Sequence, residues 1–144
     1  KKNTRRLIAV GSGFKTSASR TNQSRKLLTW GLTNTETFEI SKKKETYFDI
    51  ATWLGKEKFT KGYTKDDIYF TIYKKDLRGF EVYLEYTGPN KAPIAKDAEI
   101  ALINIYQKKK LIKSVPVYSL DRVKKVNFLI SILTSINYMI WGDA

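Results

Sequence analysis

The stretch Phe80-Glu81-Val82-Tyr83-Leu84-Glu85-Tyr86 shows how this chain folds, because its apolar residues recur at every second position. An extended strand would place Phe80, Val82, Leu84 and Tyr86 on one side and Glu81, Tyr83 and Glu85 on the other. Such alternation is typical of a strand with one face on a core. The stretch therefore predicts a strand of an antiparallel sheet.

The same period extends along the chain on both sides of this stretch. Ile68, Phe70 and Ile72 alternate in the same way, and Lys, Gly, Asp and Pro clusters separate short apolar runs at the spacing of an all-β sandwich. Residues 35–118 are therefore predicted to form an antiparallel β-sandwich, in a chain that is mainly β and α+β overall. Further strands are predicted at residues 37–40, 47–54, 99–106 and 111–118.

Residues 1–34 differ from this pattern. Residues 5–10 predict a short buried strand that ends at Gly11-Ser12-Gly13, and Thr21 or Asn22 is a candidate N-cap of the helix that follows. One strand and one helix are too little to form a domain, so we expect this segment to be the end of a larger one. The apolar face of the predicted helix consists of Leu27, Leu28, Trp30 and Leu32.

Residues 119–144 return to a helical period. Ser119 is a candidate N-cap with Asp121 in the first turn, and no charged residue occurs between residues 126 and 142. At a rise of about 1.5 Å per residue the uncharged stretch spans roughly 24 Å, which is less than a hydrocarbon core of about 30 Å. An amphipathic helix is predicted, either in a membrane interface or packed on the β domain.

Composition excludes several kinds of chemistry. The chain has no histidine and no cysteine, so Ser-His-Asp and Cys-His nucleophile systems, thiolate zinc sites and imidazole ligands are not available. No cofactor or metal is expected. The net charge of +13 favours an anionic partner. However, much of it is lysine in predicted turns at residues 42–44, 74–75 and 108–110, which is typical of solvated turns.

The order of several short motifs carries a family resemblance. Arg5-Arg6-Leu7-Ile8-Ala9-Val10 precedes a Gly-containing loop, Arg20 and Ser24-Arg25-Lys26-Leu27-Leu28-Thr29-Trp30-Gly31-Leu32. Thr35-Glu36-Thr37-Phe38-Glu39-Ile40, Trp53-Leu54-Gly55, Lys91-Ala92-Pro93-Ile94-Ala95 and Pro116 follow in order. This series resembles the C-terminal part of the serine-type D-alanyl-D-alanine carboxypeptidases, the low-molecular-weight penicillin-binding proteins. Two departures are Val10-Gly11, where the strand end is short, and Thr35, where the family commonly has an aromatic residue.

The resemblance implies a domain organisation and a role. Residues 1–34 would be the last strand and helix of a transpeptidase-like catalytic domain, residues 35–118 its β-rich C-terminal domain, and residues 119–144 a membrane anchor. The parent enzyme would remove the terminal D-alanine of peptidoglycan stem peptides at the periplasmic face of the inner membrane, and this part would serve as stalk and anchor. A protein partner of the β domain is a further expectation. The expected membrane-binding residues are Lys124, Lys125, Val126, Phe128, Leu129, Ile132, Leu133, Ile136, Tyr138, Met139 and Trp141.

Partial matches to the catalytic motifs of that family also occur, and we expect none to be catalytic. Ser12–Lys15 and Ser41–Lys44 fit Ser-x-x-Lys, Ser135–Asn137 fits Ser-x-Asn, and Lys15–Ser17 nearly fits Lys-Thr-Gly. Lys15 would have to serve two motifs at once, and Ser12 lies in a Gly-rich loop and not at the start of a buried helix. The catalytic residues are therefore expected to lie outside this sequence.

A nucleic-acid-binding function is the alternative. A basic β-barrel with exposed tyrosines between lysines could stack the bases of a single strand. No aromatic-basic signature of a known nucleic-acid module is present, and tyrosine is common in strands. The tyrosines considered for this role are Tyr63, Tyr69, Tyr73 and Tyr83.

Overall fold

The computed structural model describes residues 5–127, which form one α-helix and eight β-strands. The prediction of a mainly β chain is confirmed. In chain order the elements are α1 (Ser17–Asn34), β1 (Thr35–Ser41), β2 (Phe48–Trp53), β3 (Phe59–Tyr63), β4 (Ile68–Tyr73), β5 (Phe80–Glu85), β6 (Asn90–Lys91), β7 (Glu99–Gln107) and β8 (Lys110–Ser119), with a 3-10 turn at Lys74–Asp76 between β4 and β5.

The strands form two sheets. Six of them lie in the order β5-β7-β8-β3-β2-β6, and β1 pairs with β4 in a separate two-stranded sheet. All pairs are antiparallel except the short pair between β2 and β6. The long β7–β8 hairpin lies in the middle of the larger sheet, so it supplies much of the surface on which the core forms.

The core lies between the two sheets. Ile103 and Ile105 of β7 and Val117 of β8 are almost completely buried, and Ile50 of β2 packs with them. The aromatic rings of Phe38 and Phe70 in the small sheet each stack on Phe80 of β5 with centroids 5.3 Å apart. The two sheets therefore share one apolar core.

The predicted alternation in β4 is confirmed, because Ile68 and Ile72 are buried whereas Tyr69 is exposed. In β5 the alternation is weaker. Val82 lies on the side of the core but is 39% exposed, since β5 is the outermost strand of its sheet. The strands β3 and β6 were not predicted, because β3 contains Lys and Gly and β6 has only two residues.

The strand predicted at residues 5–10 is wrong for this structure. Arg5 alone of these residues takes part in a β-bridge, and its guanidinium donates two hydrogen bonds of 2.6 Å to the carbonyl and hydroxyl oxygens of Thr35. Ile8 is 73% exposed and Val10 is 92% exposed. An apolar strand needs a neighbouring strand, and the described residues offer none at this position.

The first helix begins earlier than predicted. Its N-cap is Thr16, whose hydroxyl oxygen accepts a hydrogen bond from the Ser19 amide, so the prediction of Thr21 or Asn22 was wrong. The helix ends at Asn34, and Thr35 closes it by donating its hydroxyl to the Gly31 carbonyl. No residue of α1 is buried.

The helix predicted from Ser119 is also wrong up to residue 127. Ser119 is the last residue of β8, where it is buried and donates its hydroxyl to the carbonyl oxygen of Asp121. Val123 and Ile94 exchange two backbone hydrogen bonds of 3.0 Å, and Lys125 forms a β-bridge with Gly55. These pairings with neighbouring segments replace the first turns of the predicted helix. The rest of that helix, residues 128–144, lies outside the described residues.

We predict that Gly62→Ala destabilises the β domain. A Cβ atom at Gly62 would lie 2.6 Å from Val117 Cγ1 and 2.7 Å from Ile50 Cδ1, both on fully buried side chains. Overpacking of this kind costs about 1–3 kcal/mol, which urea unfolding followed by circular dichroism will measure. The control Lys61→Ala changes a neighbouring exposed side chain and should cost about 0.5 kcal/mol or less. Equal stability of Gly62→Ala and wild type would contradict this packing.

Candidate functional site

The predicted membrane-binding residues are only partly described. Lys124, Lys125 and Val126 lie in the extended segment at the end of the described chain. The amide of Val126 donates to the Leu54 carbonyl at 3.0 Å, so this segment is fixed to the end of β2. Phe128, Leu129, Ile132, Leu133, Ile136, Tyr138, Met139 and Trp141 lie outside the described residues.

Backbone pairing brings a further lysine to this point. The Lys56 amide donates to the Lys124 carbonyl at 2.9 Å, next to the bridge between Gly55 and Lys125. Arg122 completes a group of four exposed basic residues, which we call the exit rim: Lys56, Arg122, Lys124 and Lys125. Because Lys56 is distant in sequence from the other three, sequence reasoning alone did not connect it to them.

The exit rim carries net positive charge. Its four basic side chains have no ion pair within residues 5–127, and Glu57 and Asp121 are their acidic neighbours in sequence. Exposed lysines of this kind attract anionic surfaces over a distance of about one Debye length. Lys124 and Lys125 stand three and two residues before residue 127, where the chain continues into the uncharged stretch of the sequence.

The partial catalytic motifs do not assemble in the structure. Ser41 is 1% exposed and its hydroxyl shares a hydrogen bond of 2.7 Å with Thr64, so a substrate cannot reach it. Thr16 is the helix N-cap described above, and Lys15 and Ser12 are exposed in the preceding loop. The motif at Ser135–Asn137 lies outside the described residues.

The four tyrosines of the nucleic-acid alternative do not form one platform. Tyr73 stacks on Trp30 of α1 with ring centroids 5.8 Å apart, and Tyr63 donates its hydroxyl to Asp97 at 2.5 Å. Tyr69 lies in the small sheet, whereas Tyr83 lies on β5 of the large sheet. The alternative is therefore not supported.

A cluster of tyrosine and carboxylate side chains, which sequence reasoning missed, lies on the outer face of β5 and β7. Glu85 accepts hydrogen bonds from the Asn104 amide at 2.8 Å and from the Tyr106 hydroxyl at 3.0 Å. The rings of Tyr83 and Tyr106 meet edge to face with centroids 5.8 Å apart. We call Glu81, Tyr83, Glu85, Asn104 and Tyr106 the outer cluster. Its signal in the sequence is the alternation of Glu and Tyr on one face of β5.

The carboxylates of the outer cluster change the acidity of its phenols. The hydrogen bond to Glu85 raises the pKa of Tyr106 above the ordinary value of 10.0, and burial adds to the effect. The hydrogen bond to Glu81 likewise raises the pKa of Tyr83. Both phenols therefore stay protonated to a higher pH than an unperturbed tyrosine.

Residues 5–127 contain neither a cluster of metal ligands nor a membrane-spanning helix. No group of three or more carboxylate, histidine or cysteine side chains within residues 5–127 is arranged to hold a metal ion. Over the same range no helix is both long enough and apolar enough to cross a bilayer.

Comparison with known proteins gave a consistent result. The family described as the penicillin-binding protein 5 C-terminal domain matches residues 36–125. D-alanyl-D-alanine carboxypeptidase DacD of Salmonella typhimurium is 35% identical over 123 residues, which are 84% of this chain and 31% of that protein. D-alanyl-D-alanine carboxypeptidase DacA of Escherichia coli is 30% identical over 138 residues, which are 93% of this chain and 34% of that protein. The chain thus spans about a third of the length of these relatives.

Solved structures agree with the fold. Penicillin-binding protein 5 from Haemophilus influenzae superposes with a TM-score of 0.62 at 25% identity, over 76% of this chain and 32% of that one. The D-alanyl-D-alanine carboxypeptidase DacD from Francisella tularensis superposes with a TM-score of 0.54 at 23% identity, over 79% of this chain and 29% of that one. The second likeness supports the fold alone.

We predict that Glu85→Gln lowers the pKa of Tyr106 toward 10.0, because the negative charge that opposes its ionisation is removed. Since the folded-state pKa is raised, the stabilisation from this bond is present below about pH 10 and is lost as pH rises through the higher value. Nuclear magnetic resonance titration of labelled tyrosine rings will measure the pKa. Glu36→Gln, on β1, is the control, and an equal shift in both variants would contradict the assignment.

Proposed function

This chain belongs to the penicillin-binding protein 5 C-terminal domain family, and on that premise we propose that it is the supporting part of a serine-type D-alanyl-D-alanine carboxypeptidase. The observation that carries the proposal is the family match over residues 36–125, which covers every strand of the described β domain apart from the first residue of β1. The parent enzyme acts in peptidoglycan biosynthesis and remodelling. This part holds the catalytic domain at its working position.

The proposed organisation has three parts. Residues 1–34 are the end of the catalytic domain, residues 35–118 are the β domain, and residues 119–144 are the anchoring segment. Exposed apolar side chains support the first assignment, because Val10, Leu27 and Trp30 are all more than half exposed. A large apolar surface of this kind is typical of a segment that packs on another domain.

The chemistry of the parent belongs to the rest of the polypeptide. There, a serine attacks the terminal peptide bond between two D-alanines, forms an acyl-enzyme and releases D-alanine, and water then hydrolyses the ester. Ser41 is buried and Ser12 stands in an exposed loop, which supports the placement of the nucleophile outside residues 1–144. No cofactor is needed for this reaction.

The proposed membrane anchor depends on the charge at the end of the described chain. The exit rim presents four basic side chains around the point where the chain continues into the uncharged stretch 126–142. Anionic headgroups attract each such lysine by about 1 kcal/mol, and apolar side chains then enter the interface. The relatives that match are bacterial carboxypeptidases, which supports a location in the cell envelope at the periplasmic face of the inner membrane.

We predict that the chain floats with vesicles of phosphatidylglycerol and phosphatidylcholine, and that a version ending at Asn127 binds much more weakly. Truncation leaves every described backbone pairing in place, so the loss reports the tail. Lys56→Gln with Lys124→Gln should weaken the full chain about 30-fold, since two lysines contribute about 2 kcal/mol.

The matched control is Lys109→Gln, in the turn between β7 and β8, with Lys110→Gln, at the first residue of β8. It removes the same charge and should leave flotation almost unchanged. Equal binding by the truncated version would defeat the anchor, and equal weakening by both lysine pairs would defeat the role of the exit rim.

We also predict that the chain is not labelled by fluorescent penicillin under conditions that label an intact carboxypeptidase. The physical reason is that neither Ser12 nor Ser41 has both an accessible hydroxyl and a buried lysine to accept its proton. The measurement is in-gel fluorescence after denaturation. Covalent labelling that Ser12→Ala or Ser41→Ala removes would place a nucleophile inside this chain.

A further inference from the structure

The strand β5 has an open backbone edge. Within residues 5–127 it pairs with β7 alone and is the outermost strand of its sheet. The Lys108 amide donates to the Gly79 carbonyl on the β7 side, whereas the Phe80 amide turns away to Leu77. Because the hydrogen-bonding direction alternates along an antiparallel strand, Val82 and Leu84 point their amide and carbonyl groups away from β7.

The side chains beside this edge are acidic and aromatic. Glu81, Tyr83 and Glu85 project from the outer face of β5, and Glu85 accepts the hydroxyl of Tyr106. Neither carboxylate has an ion pair with a Lys or Arg within the described residues. These two carboxylates share a shallow pocket with Lys109, so this edge has one excess negative charge on a chain with a net charge of +13.

Asn104 supplies an independent observation. The residue is 6% exposed and lies opposite Tyr83 in the register of β5 and β7. Its Nδ2 atom donates to Glu85, but its buried Oδ1 atom accepts no hydrogen bond from any residue in the described range. Buried side-chain acceptors are usually satisfied, so this atom is an acceptor available to a donor that approaches β5 and β7.

We propose that the edge of β5 binds an extended, basic segment of another polypeptide as an added strand. The backbone of the segment bonds to Val82 and Leu84, and its Lys or Arg side chains, at alternate positions, lie beside Glu81 and Glu85. A donor from one of these side chains reaches Asn104 Oδ1 after Tyr83 changes rotamer. In this recognition mode main-chain hydrogen bonds supply affinity and alternate side chains supply specificity.

A second copy of this chain fits the edge poorly. Antiparallel pairing of two β5 strands about a two-fold axis brings Glu81 and Glu85 of one copy opposite or diagonal to those of the other. Like charges in these positions destabilise a sheet. A basic partner turns the same carboxylates into attractive contacts, so charge complementarity selects it. This inference does not depend on the proposed anchor.

The test uses the full chain and a short peptide of alternating lysine and valine, titrated at low salt by nuclear magnetic resonance. We expect saturable binding, with the largest changes in amide chemical shift in β5. The net positive charge of the chain repels the basic peptide from the rest of the surface. Val82→Pro should abolish binding, because it removes an outward amide and proline is tolerated on an edge strand. A peptide with serine in place of lysine should bind much more weakly.

Two charge variants provide an independent test in case Val82→Pro does not fold. Glu81→Lys should weaken peptide binding about tenfold, whereas Asp66→Lys, an equal charge change in the turn between β3 and β4, should leave it unchanged. The proposal is overturned by absence of binding, by shifts centred away from β5, or by equal weakening in the two variants. Sedimentation of the chain alone should show a monomer. A dimer that Glu81→Lys changes would make a second copy the occupant and overturn the proposal.

Discussion

Burial of one face of the β7–β8 hairpin is the interaction on which the described structure depends. Ile103, Ile105 and Val117 are almost inaccessible to solvent, and the strands β5 and β3 attach to the two edges of this hairpin. Burial of these side chains stabilises the folded state roughly in proportion to the apolar area removed from water. Because the hairpin also ends at Ser119, it determines where the chain leaves the domain, and the pairings at Val123 and Lys125 extend that path.

The large sheet places a group of basic side chains and a pair of glutamates at opposite ends. Backbone pairing between distant segments places Lys56 beside Lys124 at one end of the large sheet, where β2 and β6 lie. Two glutamates come together at the opposite end, on β5. The two ends of the large sheet therefore carry different groups, with four basic side chains at the exit rim and two carboxylates beside Lys109 on β5.

Residues 5–34 expose apolar side chains, which would be unfavourable if this surface remained in water. The helix α1 has no buried residue, and the segment before it exposes Ile8 and Val10. The relatives are about three times as long as this chain. The proposed packing of residues 1–34 on the rest of a longer polypeptide would cover these apolar surfaces.

The sequence by itself determined the mainly β class, the positions of β1, β2, β4, β5, β7 and β8, and the family, because two-residue periodicity and motif order are local properties. It misplaced the start of α1 and predicted a strand at residues 5–10 and a helix from Ser119. Local patterns cannot show which backbone groups have a partner. Only the tertiary structure decided that Val10 has no neighbouring strand and that Lys125 pairs with Gly55. The exit rim and the outer cluster also required it, since both join side chains that are distant in sequence and near each other only after the strands pair.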